Sequence, residues 1–136
     1  MDIETINYIS EEILVNIKDI HRSAEAIVEI EKGDLFFGAR VDENIVGYVH
    51  ARPSISHILG LYVHEKYQRN NCKIGTKLLD TCIKSLSNSG AGKIFAGVEG
   101  GNEKGLKFFT HYGFLNRGVG KTGFTKFEFN LLKNGT

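Results

Sequence analysis

The sequence is poor in cysteine and proline, with two and one of them among its 136 residues. Cys72 and Cys82 lie ten residues apart without a second pair, which fits neither a disulfide framework nor a zinc site. On a helix that begins just after Cys72 they would be about three turns apart, too far for a disulfide bond. We therefore expect reduced thiols and no bound metal. Because no Gly/Ser-rich linker interrupts the chain, we also expect a single domain over 1–136.

An excess of charge and long apolar runs are absent as well. The chain has 17 basic and 16 acidic side chains, interleaved to a net charge of +1, so no basic face for nucleic acid is apparent. No apolar run approaches the roughly 20 residues that span a bilayer. The acidic amino terminus lacks the basic and apolar regions of a signal peptide. We expect a cytoplasmic monomer or homodimer with no nucleic-acid or membrane partner.

The patterns that are present predict an α/β chain in the order β-α-α-β-β-β-α-β-α-β(β). Alternating segments at 3–9 and near 124–131, strand-like runs at 35–41, 45–51 and 57–63, and a nearly unbroken apolar run at 93–98 predict the strands. Helices are predicted from Ser10 to a stop at Gly33, from Ile74 to just before Ser89, and from Asn102 to a stop at Gly113.

The helix after Ile74 would link two strands as a crossover, which makes strands 57–63 and 93–98 parallel neighbours. The nearly unbroken apolar run 93–98 predicts a strand covered on both faces.

The junction between strand 57–63 and the following helix is the most informative segment. A polar loop leads into a helix whose first turn holds Gly75 and Thr76. The free N–H groups of such a turn, together with the helix dipole, attract anions. Arg69, Lys73 and Lys77 add positive charge around it. These features alone predict a phosphate site and nothing more specific.

Residues 59–79 also resemble the acetyl-coenzyme A signature of the GCN5-related N-acetyltransferases (GNAT superfamily). That signature is an L-x-V strand end, a [QR]-x-x-G-x-[GA] loop and an x-x-L-L helix start. Its parts are matched by Leu61-Tyr62-Val63, by Gln68, and by Ile74-Gly75-Thr76-Lys77-Leu78-Leu79. A second block, V-x-x-x-N and A-x-x-[FL]-[YF]-x-x-x-G-F, is similar to Val98 through Asn102 and then Leu106 through Phe114, with Gly105 in place of alanine. The resemblance covers about residues 35–132.

The resemblance implies a GNAT-like acyl-CoA N-acyltransferase fold, in which a mixed, twisted sheet is flanked by helices and its parallel central strands splay around acetyl-CoA. It implies direct transfer of an acetyl group, in a ternary complex, to a primary amine of a small molecule, peptide or protein. Backbone N–H groups at 61–63 would stabilise the oxyanion. The implied cofactor-binding residues are Leu61, Tyr62, Val63, Gln68, Arg69, Asn70, Asn71, Cys72, Lys73, Ile74, Gly75, Thr76, Asn102 and Phe109.

Two departures from the family pattern leave an alternative open. The loop is two residues longer than usual, and Asn71, Cys72 and Lys73 stand where its first glycine is expected. Asparagine tolerates left-handed backbone geometry, so the loop can still curl around a pyrophosphate. Phe109 occupies a position that is often a tyrosine protonating the departing thiolate, and it has no proton to give. The alternative is a non-catalytic acyl-CoA-binding regulatory module.

Candidate acid–base residues follow from the same resemblance. His57 stands four residues before Leu61, where the family can place its general base, and regular alternation would put it on the same strand face as Leu61 and Val63. An imidazole near its ordinary pKa can take a proton from an ammonium substrate. The alternative for His57 is a strand-start histidine that faces water. Glu99, at the carboxyl end of strand 93–98, is the second choice of base, and Tyr112 is a candidate acid.

Overall fold

The computed structural model describes residues 2–6, 31–67 and 73–131. The described strands are β1 Asp2–Ile6, β2 Leu35–Val41, β3 Asn44–Arg52, β4 His57–Val63, β5 Lys93–Glu99, β6 Leu115–Val119 and β7 Phe124–Asn130. The described α-helices are α1 Ile74–Asn88 and α2 Glu103–Tyr112, with short 3-10 turns at Pro53–Ile55 and Glu65–Tyr67. The helices predicted from Ser10 lie outside the described residues.

The strands form one mixed sheet in the order β1-β2-β3-β4-β5-β7-β6, in which β4 and β5 are parallel and the other neighbours are antiparallel. Within these two fully described strands, β4 pairs with β5 at only two positions, of which Ile58↔Ala96 is the last. Beyond it, β4 stays paired with β3 as far as Val63, and β5 stays paired with β7 as far as Glu99. The two central strands therefore diverge after Ile58, which confirms both the predicted parallel pairing and the splay.

Helix α1 covers one face of the sheet, which we call the helix face. Its buried stripe is Ile74, Leu78, Leu79, Cys82, Ile83 and Leu86. These residues belong to the same core cluster as buried side chains of β2 to β5. Each fully buried leucine or isoleucine contributes about 1.5–3 kcal/mol by leaving water. Cys82 is a free thiol at 0% exposure, and burial raises its pKa to about 12, so it is a packing residue. No helix in the described ranges is long and apolar enough to cross a membrane.

Strand β5 departs from its prediction. Ile94, Ala96 and Val98 are buried on the helix face, but Phe95 is 38% exposed and Gly97 is exposed on the opposite face, which we call the far face. The prediction of a strand covered on both faces is therefore wrong. The unbroken apolar run hid a normal alternation, because Phe95 is apolar yet lies on the open side of the sheet.

The last two described strands form a β6–β7 hairpin, of which only β7 had a clear sequence signal. All of β6 is exposed, so it carries no buried alternation to detect. On β7, Glu128 lies on the same face as the polar residues Lys126 and Asn130, yet it is only 8% exposed. Its carboxylate accepts a hydrogen bond from Arg117 Nη2 at 2.8 Å and lies 3.9 Å from Lys93 Nζ. These two cations compensate the burial of its charge.

Candidate active site

A β-bulge lies in β4 just where the strand begins to leave β5. Gly60 pairs with His50, and Ile58 pairs with Ala51, the residue directly after His50. Leu59 is therefore an extra residue without a partner in β3. Because side chains alternate strictly between the two faces of a strand, one extra residue moves everything on one side of it to the other face.

The bulge changes the position of His57 relative to the rest of β4. Ile58, Leu61 and Val63 all pack in or against the helix-face core. His57, directly before Ile58, therefore lies on the far face. The prediction that His57 shares a face with Leu61 and Val63 is wrong, because simple alternation does not include the bulge. His57 instead shares the far face with Tyr62.

His57 lies on the far face at the point of divergence, beside a concave site. Its cross-strand neighbours are Arg52 in β3 and Phe95 in β5. Partial burial, and then the positive charge of Arg52, lower the pKa of His57 below its ordinary value. The imidazole is therefore neutral at pH 7 and able to accept a proton.

The far-face cavity, as we call this site, has a volume of about 510 Å³. The described residues that line it are His57, Ile58, Phe95, Ala96, Gly97, Phe124, Lys126 and Phe127. Sequence reasoning did not select Phe95, Phe124 or Lys126. Phe124 and Lys126 carried only the alternation of β7, and Phe95 was hidden in the apolar run of β5. The tertiary fold brings these two strands next to each other.

Arg52 is held in place by a cluster around the buried Asp34 carboxylate, which sequence reasoning also missed. The Asp34 carboxylate, 1% exposed, accepts hydrogen bonds from Arg52 Nε at 2.9 Å and is 2.7 Å from His50 Nε2. Burial opposes ionisation of Asp34, but hydrogen bonds from Arg52, the Glu31 backbone N–H and His50 together hold its pKa well below its usual range. Burial lowers the pKa of His50, and its ring stacks on Phe36 at 4.1 Å. The cluster fixes the cation that acts on His57.

Glu99 and Tyr62 lie on opposite sides of the gap between the diverging strands. Glu99 is exposed at the carboxyl end of β5. Burial, and then the negative charge of Glu99, raise the pKa of Tyr62, whose ring packs on Tyr48 with centroids 5.2 Å apart. The structure therefore brings Glu99 near Tyr62 and keeps the phenol protonated.

The amino terminus of α1 has the features of an anion site. Its N-cap is Lys73, whose side chain makes no capping hydrogen bond, and the first helical bond runs from Lys77 N to Lys73 O at 3.1 Å. The backbone N–H groups of Ile74, Gly75 and Thr76 have no acceptor among the residues described. Such N–H groups and the positive end of the helix dipole favour a bound phosphate.

Lys73 has left-handed backbone geometry, with φ +51°. The glycine that the family uses in this loop is thus replaced by a lysine in a glycine-like conformation, directly before Ile74-Gly75. Of the other predicted cofactor-binding residues, five lie outside the described residues: Gln68, Arg69, Asn70, Asn71 and Cys72.

Asn102 caps α2 as predicted, since its Oδ1 accepts a hydrogen bond from Gly105 N at 3.0 Å. This cap explains why residue 105 is glycine. A Cβ there would lie 2.6 Å from Asn102 Nδ2 and 3.0 Å from Val98 Cγ1. Contact between Asn102 and a cofactor stays a prediction.

Phe109 and Tyr112 both belong to the interior side of α2. Phe109 is 6% exposed and packs against Phe114 and Phe127, with ring centroids 5.0 and 5.6 Å away. Tyr112 donates a hydrogen bond to Asp80 Oδ1 at 2.6 Å. Burial and then Asp80 raise its pKa strongly. Tyr112 thus lines a groove between α1 and α2, whereas His57 lines the far-face cavity.

The comparisons with known proteins agree with this geometry. Residues 4–114 match the model of the Acetyltransferase (GNAT) family, so the chain belongs to that family. This confirms the fold and the acetyltransferase class that the two sequence blocks predicted. No curated protein matches the chain in sequence.

Solved structures share the fold at low identity. An N-acetyltransferase from Thermoplasma acidophilum, in complex with coenzyme A, is 20% identical with a TM-score of 0.76, over 96% of this chain and 99% of the other. A GNAT-family acetyltransferase from Staphylococcus aureus is 23% identical with a TM-score of 0.69, over 96% and 99%. A Bacillus anthracis protein in complex with acetyl-coenzyme A is 15% identical with a TM-score of 0.62, over 74% and 64%.

Proposed function

We propose that this protein transfers an acetyl group from acetyl-CoA to a primary amine of a small molecule, peptide or protein, directly and within a ternary complex. The observation that carries the proposal is the divergence of β4 from β5 close to the start of α1, whose first N–H groups have no acceptor among the described residues. Structures of the same fold from Thermoplasma acidophilum and Bacillus anthracis contain coenzyme A and acetyl-CoA.

The donor would bind on the chain's own backbone groups. The N–H groups of Ile74, Gly75 and Thr76 would hold the pyrophosphate, with Lys77 in the next turn adding charge. The gap between β4 and β5 leaves room for an extended arm that leads to the thioester. Backbone N–H groups at 61–63 would hold the thioester carbonyl and stabilise the oxyanion as the amine attacks.

His57 would remove the proton from the attacking amine. Because of the bulge at Leu59 it lies on the far face, so the amine would approach from the far-face cavity while the donor occupies the gap. An imidazole whose pKa is lowered is unprotonated at neutral pH, which a general base requires. Glu99, across the gap, is the alternative base. Collapse of the tetrahedral intermediate then breaks the C–S bond, and the thiolate leaves without a covalent acyl-enzyme.

A non-catalytic acyl-CoA-binding module is the second candidate. It is favoured by Phe109, which is buried in the core and has no phenolic proton to give to a departing thiolate. One experiment separates the two: incubation with acetyl-CoA and a pool of primary amines, followed by titration of free thiol. Amine-dependent thiol release supports the enzyme. A thermal shift with acetyl-CoA without thiol release supports the module, and the absence of any shift overturns both.

A further inference from the structure

We propose that the far-face cavity binds an acceptor amine with an apolar, aromatic middle and an anionic group at its far end, held by Lys126. This inference rests on the proposed function, because it names the acceptor class for the same acyl transfer. Four features of the described residues carry it: the walls of the cavity, the glycine between them, the charge of the cavity and its span.

The walls are two large apolar side chains that the fold leaves open to solvent. Phe95 in β5 is 38% exposed and Phe124 in β7 is 43% exposed. Single exposed apolar residues are common, but two that line one cavity of about 510 Å³ make a site of the size that holds small organic molecules. Aromatic rings bind flat apolar groups by stacking and edge contacts.

Between these rings the cavity is lined by Gly97, which has no side chain to fill it. A Cβ on Gly97 would lie 3.8 Å from Phe124 Cδ1, so the Phe124 ring stands directly beside the glycine backbone. A larger side chain at residue 97 would fill the space between Phe95 and Phe124. The absence of a side chain at residue 97 thus leaves room over β5 beside the Phe124 ring.

The positive charge of the cavity lies at its β7 end, on Lys126. Lys126 lies opposite Gly97 in the β5–β7 pairing, and it is the only fully charged residue among the described lining residues. No described carboxylate forms an ion pair with it. Glu128, on the same strand, is engaged by Arg117 at 2.8 Å. Lys126 therefore offers a positive charge that an anionic ligand group complements.

The span of the cavity sets the distance between the two ends of the ligand. His57 lies on β4 and Lys126 on β7, with β5 between them. Neighbouring strands are about 4.8 Å apart, and the partners of His57 and Lys126 in β5, Phe95 and Gly97, are two residues or about 6.6 Å apart along the strand. The two backbones are therefore on the order of 12 Å apart. An amine beside His57 and an anion beside Lys126 therefore need an apolar body over Phe95 and Gly97. A ring with an aminomethyl group and a carboxylate at opposite ends has this form.

The test compares 4-(aminomethyl)benzoate with its neutral isostere 4-(aminomethyl)benzamide, using acetyl-CoA-dependent thiol release. The variant is Lys126→Gln. The matched control is Lys121→Gln, which removes an equal charge from an exposed position outside the cavity lining. We expect Lys126→Gln to raise KM for the benzoate about tenfold, between the value of an exposed ion pair and that of a charge-assisted hydrogen bond. The benzamide should be unaffected, and Lys121→Gln should change neither.

A second variant tests the apolar walls. Phe124→Ala should lower kcat/KM for both ring-containing acceptors about tenfold, by loss of a partly buried aromatic contact, and leave ethanolamine unchanged. Val119→Ala is its control, because Val119 is 70% exposed and outside the described lining.

The outcomes separate this inference from the proposed function. If the parent and Lys126→Gln use the benzoate and benzamide equally well, the inference is overturned while the acetyltransferase function stands. If acetyl-CoA binds but no amine is acetylated, the proposed function fails, and calorimetry with the benzoate decides the cavity separately. If the parent binds the benzoate and Lys126→Gln does not, the inferred ligand chemistry of the cavity stands. If both proteins bind it equally, or neither binds it, the inference is overturned.

Discussion

Replacing Lys73 by glycine should stabilise the protein and at the same time restore the residue type that the family uses in its cofactor loop. Lys73 has φ +51° at the N-cap of α1, and its side chain makes no capping bond. Left-handed geometry costs a residue with a Cβ roughly 1–2 kcal/mol. Glycine offsets part of this gain, because the greater freedom of the unfolded chain lowers the free energy of unfolding by about 0.4–1 kcal/mol. Removing a cation from the positive end of the helix dipole adds about 0.3 kcal/mol or more.

These terms sum to a gain of about 1 kcal/mol in the free energy of unfolding. For a chain of this length that corresponds to a rise of about 3 °C in Tm. Urea unfolding followed by circular dichroism measures the first quantity, and calorimetry measures the second. Lys73 is exposed, so no packing is lost to obscure the effect.

Two matched variants show whether the strain at Lys73 is the cause. Lys77→Gly makes the same change one turn later, inside α1, where glycine should cost about 1 kcal/mol. Lys73→Ala removes the charge but keeps the strain, so it should gain only the small dipole contribution. If Lys73→Gly destabilises the protein as much as Lys77→Gly does, the left-handed N-cap is not a source of strain and the reasoning is refuted.

Three further predictions concern the proposed site. Gly75→Glu should fold, because a Cβ there meets Phe108 at an ordinary 3.4 Å, but charge repulsion should abolish its binding of acetyl-CoA. Gly75→Ala should bind acetyl-CoA nearly as the parent does. Equal calorimetric affinity of all three proteins would contradict the anion site. Asn102→Ala should lose about 1 kcal/mol of stability with its cap and also weaken acetyl-CoA binding; unchanged affinity would leave Asn102 a structural cap only. His57→Ala should lower kcat about 10²–10⁴-fold with cofactor affinity near the parent value. Because the pKa of His57 is lowered, kcat/KM of the parent should fall as pH drops below the ordinary histidine range, and the variant should lack this limb when tested with the same acceptor. A variant with full activity and the parent pH profile would move the assignment to Glu99.

Local sequence patterns were enough to predict the elements that carry their own signal. The apolar stripe of α1 runs from Ile74 to Leu86, and the structure buries the very side chains that recur at helical spacing. The Asn102 cap and the Gly113 stop of α2 depend on neighbouring residues only, so they too are visible in the sequence. The parallel pairing of β4 with β5 followed from the length of the crossover between them. The family resemblance added the splay, which no periodicity encodes.

The tertiary structure alone decided which face of the sheet each candidate residue occupies. The extra residue Leu59 becomes a bulge only through the register between β3 and β4, and it moves His57 to the face opposite Leu61. Contacts between distant segments decided the rest. Asp80 engages Tyr112 in the groove between the helices, and the approach of β7 to β5 brings Lys126 beside Gly97. Strand registers and such contacts depend on the whole chain at once, so a pattern confined to a few neighbouring residues has no information about them.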